Sequence, residues 1–86
     1  MTTTQNNMYS KNRYDELEKL ERKEFGQKLL KKRMELDITR KTAAKMMDIS
    51  VEMVVRIENG YISPETPGLL HKVENLRKKE YMRIVI

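Results

Sequence analysis

The feature that most restricts what this chain can fold into is a pair of capped segments with almost nothing between them. Thr39 precedes a run ending at Met47, Asp48-Ile49 follows, and Ser50 opens a second run that closes on Asn59-Gly60. Ser and Thr hydroxyls accept the free N–H groups of a first helical turn. A glycine just past a helix takes the left-handed conformation that ends it. The spacing therefore predicts one helix from Thr39 to Met47, a tight turn, and a second helix over Val51–Asn59. Helices this short are not stable alone, so they must pack on something else in the chain.

The flanks supply it. From Asn12 to Leu36 the sequence is charged, helix-favouring and free of proline, which predicts an extended N-terminal helix. Phe25, Leu29 and Leu36 share one face at helical spacing, and Tyr14, Leu17 and Leu20 mark an earlier apolar stripe. The run "EKLERKEF" reads as a solvated face. Gly26 costs about 1 kcal/mol against Ala inside a helix, which leaves room for a kink or break there. Residues 1–11 are mostly polar and read as a disordered tail. Downstream, "YISPE" is a loop, and Thr66 then Pro67 look like a cap and a first helical residue. Leu69, Leu70, Val73 and Leu76 give that last helix its apolar side as far as about Lys79. Residues 80–86, ending in "YMRIVI", read as a short strand or apolar tail. The expected organisation is thus a tail (1–11), an all-α domain (12–79) and an apolar end (80–86).

Composition narrows the function. Eighty-six residues without a cysteine make one small domain with a thin core, no disulfide and no cysteine-based metal site. No apolar run approaches the roughly 18 residues that span a bilayer. The polar start lacks the apolar stretch of a signal peptide, so a cytoplasmic protein that does not enter a membrane is expected. A single histidine, His71, no cysteine and three scattered glycines argue against nucleophile dyads, metal centres and phosphate-cradling loops. Neither an enzyme nor a cofactor or metal is expected. The seven methionines read as core filler and a start residue.

The net charge of +5 favours an anionic partner. Its placement is uneven. Residues 11–33 carry nine Lys/Arg against five acids, and residues 61–86 carry five against three. Between them, residues 34–60 carry four (Arg40, Lys41, Lys45, Arg56) against five (Glu35, Asp37, Asp48, Glu52, Glu58). On a helical wheel Val54 and Ile57 share one face with Glu58 beside them, while Glu52, Arg56 and Asn59 make the opposite face. Val51, Met53 and Val55 then remain as candidates for exposure, more than a solvated surface needs.

The elements "FGQKLLKKR", "ITRKTAAKMMDIS", "VEMVVRIENG" and, after a proline, "LLHKVENL" resemble, in this order and spacing, the helix-turn-helix of the Cro/cI-repressor type (the xenobiotic-response-element family). The resemblance covers roughly Phe25 to Leu76. It implies a small all-α bundle of four to five helices whose second motif helix enters the DNA major groove. It also assigns roles. Arg33 matches the basic residue that pairs with the Glu of the Glu-Asn-Gly end, here Glu58. Arg40, beside Lys41, stands where the family usually has a phosphate-touching Gln. Val51, Glu52 and Arg56, with Met53 beside them, occupy the positions that read base edges, and Asn59, Tyr61 and Ser63 fall where backbone contacts are common. Two residues depart from the pattern. Asp48 replaces the usual turn glycine, and Ala43 replaces a core leucine, with Met46 and Met47 near to fill the space.

Two functions follow as expectations. One is a sequence-specific DNA-binding transcriptional regulator, a small phage or mobile-element repressor or accessory regulator acting on double-stranded DNA. Arg56 is its best base reader, suited to guanine. The other is a protein-interaction module, such as a repressor modulator or antirepressor, that presents Val51, Met53 and Val55 to a larger regulator. In either, Ile84 and Ile86 could form a protein interface: an apolar strand edge pairs with its twin in a homodimer, or the segment packs back on its own bundle.

Overall fold

The computed structural model describes residues 2–77, with side chains from Tyr14 onward. Within them the chain forms four helices and no strand: α1 (Thr2–Leu36), α2 (Arg40–Met47), α3 (Val51–Glu58) and α4 (Leu69–Glu74). Both expected caps are in place. Thr39 Oγ1 accepts from the Thr42 N–H at 3.1 Å and Ser50 Oγ from the Met53 N–H at 3.0 Å.

The first three helices end in the same way. Just past each, one residue takes the left-handed region (Asp37, Asp48 and, one position beyond Asn59, Gly60), and two N–H groups turn back onto the last carbonyls. Past α1, Asp37 N–H donates to Met34 O and Ile38 N–H to Arg33 O, each at 3.1 Å. Past α2, Asp48 N–H donates to Lys45 O at 3.2 Å and Ile49 N–H to Ala44 O at 3.0 Å. Past α3, Gly60 and Tyr61 do the same to Ile57 O and Arg56 O, both at 3.0 Å. Only the third position is glycine; Asp37 and Asp48 hold φ of 53° and 55°.

The core lies where the C-terminal third of α1 meets the other three helices. Phe25 and Leu29 from α1 pack with Ile38, Ala43, Ala44 and Met47, with Val54 and Ile57 of α3, and with Leu69, Val73 and Leu76. Leu36, Met46, Ile49 and Met53 lie half-buried around this cluster. Ala43 is fully buried at the position of the expected leucine, with Met47 buried beside it. Leu29, Val54, Ile57 and Val73 lose essentially all contact with water. Each contributes roughly 1.5–3 kcal/mol by that burial.

Three expectations are corrected here. Residues 2–11, read as a disordered tail, continue α1, since no proline or glycine precedes Gly26 to stop a helix begun below it. At Gly26 the helix runs on without a break. The glycine is instead the point where α1 touches the end of α3: a Cβ there would overlap the Ile57 carbonyl oxygen and lie 2.9 Å from that of Glu58. Finally, α4 begins at Leu69 and not at Pro67, because Gly68 takes φ 76° and interrupts the run. It ends at Glu74, short of Lys79, where Lys32 Nζ of α1 takes the Glu74 carbonyl at 2.8 Å and Leu76 turns into the core. The stripe of Tyr14, Leu17 and Leu20 stays exposed, since the bundle reaches α1 mainly below it. Residues 80–86, expected as strand or tail, lie outside the described residues.

Two substitutions separate these backbone effects. Gly26→Ala, which gains about 1 kcal/mol in an isolated helix, is expected to destabilise the protein by about 1–3 kcal/mol through overpacking against α3. Asp48→Gly is expected to stabilise it by about 1 kcal/mol by relieving the left-handed strain of a residue with a Cβ. Urea unfolding midpoints check both, and a stabilised Gly26→Ala would refute the close contact.

Candidate nucleic-acid interface

The turn between α2 and α3 is set by Asp48, and Lys72 of α4 approaches its carbonyl at 3.4 Å. What fixes the direction of α3 is Glu58 at its last turn. Its side chain is only 2% exposed, yet its carboxylate is fully engaged. Arg33 of α1 donates to it twice, Nε to Oε2 at 2.7 Å and Nη2 to Oε1 at 3.1 Å. Arg40, the first residue of α2, donates a third bond from Nε to Oε1 at 2.9 Å. Arg33 also reaches the Ile38 carbonyl through Nη1 at 3.1 Å. One buried carboxylate therefore joins three helices and the α1–α2 corner, and no buried side-chain polar atom among the described residues lacks a partner.

Arg33 and Glu58, the pair that the resemblance implied, lie together, but the third partner was missed. Arg40, read as a phosphate contact, has its Nε turned inward; its side chain remains 46% exposed, so the guanidinium still reaches the surface. Lys41 and Lys45 are exposed along α2.

Val51, Glu52 and Arg56 of α3, and Asn59 just after it, face outward. Val51 is 42% exposed at the helix start. Met53 and Val55 are half-buried, Met53 against the core, so the apolar surface of α3 is smaller than the sequence suggested. Arg56 is held along its own helix by Glu52, Nη2 to Oε1 at 3.0 Å. The spacing of four residues, with the acid on the N-terminal side, is the favourable orientation and was readable in the sequence. Beyond α3, Tyr61 projects into solvent, while Ser63 is half-buried, with its Oγ accepting from the Glu65 N–H at 3.0 Å. The α2–α3 unit thus presents Lys41, Lys45 and Arg56 from a rigid frame.

Residues 29–67 match the sequence model of the helix-turn-helix family. The chain carries a helix-turn-helix of the Cro/cI-repressor type. The matched segment runs from Leu29 of α1 through α2, the turn and α3 to Pro67, and so includes both ends of the Arg33–Glu58 pair. This is a family of DNA-binding regulators, not of enzymes. Comparison with curated proteins and with solved structures finds no match. No helix among the described residues is long and apolar enough to cross a membrane. The first 28 residues of the chain, and α4, lie outside the matched helix-turn-helix.

Removing one member of a buried ion pair leaves the other unpaired, at roughly 3–5 kcal/mol. Glu58→Ala is therefore expected to lower unfolding stability by that amount. Arg40→Ala, at a half-exposed position, is expected to cost under about 1 kcal/mol. Denaturant titration of the two variants distinguishes the buried bond from the solvent-screened one.

Proposed function

We propose that this protein is a sequence-specific, double-stranded-DNA-binding transcriptional regulator, a small repressor or accessory regulator of the kind found in phages and mobile elements. The observation that carries this reading is Arg56, an exposed guanidinium at the centre of the outer face of α3, on a helix whose direction the Glu58 bonds hold fixed. A guanidinium there suits bidentate contact with guanine in the major groove. Arg40, Lys41 and Lys45 lie along α2, the helix that crosses the phosphate backbone in this geometry, and Val51 is placed for a thymine methyl.

Glu52 acts against binding in two ways. It competes with guanine for Arg56, and it brings a negative charge toward phosphate. Its one favourable partner is the amino group of cytosine. The reader helix is therefore held back except at a site that satisfies both side chains, which is a source of selectivity.

The second reading, a module that binds another protein through the same face, is supported by exposed Val51 and by the slight acidic excess over residues 34–60. The half-burial of Met53 and Val55 leaves it less apolar area to use.

Titration of DNA fragments flanking the protein's own gene, across salt concentrations, tests the proposal. Binding is expected to weaken with a log–log slope of about −0.9 per neutralised phosphate. Arg56→Ala is expected to cost about 1–3 kcal/mol and to relax sequence preference. Glu52→Gln is expected to strengthen binding to non-cognate fragments. Absence of salt-dependent binding to every fragment would overturn the DNA reading; a protein complex abolished by Val51→Asp would then establish the other.

A further inference from the structure

We propose that α1 pairs antiparallel with α1 of a second copy of this chain, along the face that carries Leu17 and Leu20. N-terminal to Phe25, α1 contributes no described side chain to the core. Its apolar residues there stay open to water: Tyr14 is 70% exposed, Leu17 48% and Leu20 49%. A helix owes most of its stability to packing an apolar stripe, and this stripe has nothing in the described bundle to pack on.

The charges beside the stripe point to a copy of the same helix, and to its direction. With Leu17 level with Leu20 of the other copy, two-fold symmetry brings Leu20 level with Leu17 in turn. One flank of the stripe then sets Glu16 beside Lys23 of the other copy, twice over. The opposite flank sets the Tyr14 hydroxyl, a donor, beside the Glu21 carboxylate, again twice. All of these side chains are exposed. Turned parallel, the same stripe meets like charges. Glu16 faces Glu21, Lys23 faces Lys28, and Glu24, seven residues on from Leu17, faces its own twin. In the antiparallel pair the two Glu24 residues lie roughly 16 Å apart along the axis, beyond a Debye length.

The bundle leaves room for this pairing. It packs on Phe25, Leu29 and Leu36, which point about 110–150° around the helix from the direction midway between Leu17 and Leu20. Each bundle also sits on the C-terminal part of its own α1, so the two lie at opposite ends of the pair. The register overlaps the helices along almost all of the 35 residues of α1. A contact strip about 50 Å long and about 10 Å wide on each copy covers about 1,000 Å² in total, at the lower end of specific interfaces. The dimer is therefore one that exchanges with single copies.

The molar mass of the full chain, followed over a concentration series without DNA, is expected to rise from that of one copy to that of two. Glu16→Lys and Lys23→Glu each turn two attractive contacts into repulsive ones and are expected to weaken association about tenfold. The double variant restores opposite charges and is expected to recover it. Leu17→Asp is expected to abolish the dimer and, below the association range, to leave the urea midpoint unchanged, since Leu17 lies outside the core. A single-copy mass at every concentration up to about 1 mM, or a dimer that survives Leu17→Asp, would overturn the proposal. Failure of the double variant to recover would overturn the register. The chain has no cysteine, so introduced ones report without background. Leu17→Cys mixed with Leu20→Cys is expected to cross-link about tenfold faster than Glu24→Cys with itself, whose sulfurs the antiparallel pair holds too far apart. The reverse order would overturn the proposal in favour of parallel helices. None of these measurements involves DNA, so their outcome is separate from that of the regulator reading.

Discussion

A single carboxylate carries the architecture. Glu58 takes three charge-assisted hydrogen bonds while almost wholly withdrawn from water, and its donors come from α1 and α2 while it rides on α3. Apolar packing holds these helices together but is tolerant of small rotations. A bidentate guanidinium is not, because both N–H groups must meet both oxygens in one plane. The angle at which α3 is offered to a partner is thereby fixed by chemistry at its far end. Gly26 works on the same junction from the other side, letting the α1 backbone come up against the last carbonyls of α3.

Electrostatics divides the helix-turn-helix into an inside and an outside that behave differently. The inner pair is dry and geometrically exact in its demands. The outer pair, Glu52 and Arg56, is exposed on both sides and screened, worth a few tenths of a kcal/mol to the helix. An ion pair that weak is easily exchanged for contacts with a partner, whereas the inner one is not. Stability and recognition are thus assigned to different residues of one short helix, and a change at Arg56 leaves the frame intact.

The parts of this structure that were legible in the sequence are those written in local chemistry. Thr39 and Ser50 announce helix starts because the cap bond is made within three residues, and Gly60 announces an end for the same reason. The Arg33–Glu58 pair was readable only through the motif that carries it. Non-local features were not readable. Gly26 signals a weak point in a helix, and only the proximity of Ile57 turns it into a packing site. Arg40 signals an anion contact, and only the fold brings Glu58 beside it. Pro67 marks a helix start correctly in isolation, but Gly68 outweighs it one residue later. The polar composition of residues 2–11 argued for disorder, while the same residues contain nothing that ends a helix.

The length of α1 has a consequence for how the molecule moves through solution. The protein measures 65 × 21 × 19 Å, with a radius of gyration of 16.6 Å, where a compact chain of this size has about 12 Å. A rod of this shape drags more water than a sphere of equal mass. It elutes early from a sizing column and tumbles slowly about its short axes, so a single copy mimics a heavier, globular assembly. Mass has to be weighed by sedimentation equilibrium or light scattering, which are blind to shape, because friction reports the projecting helix and not the number of chains.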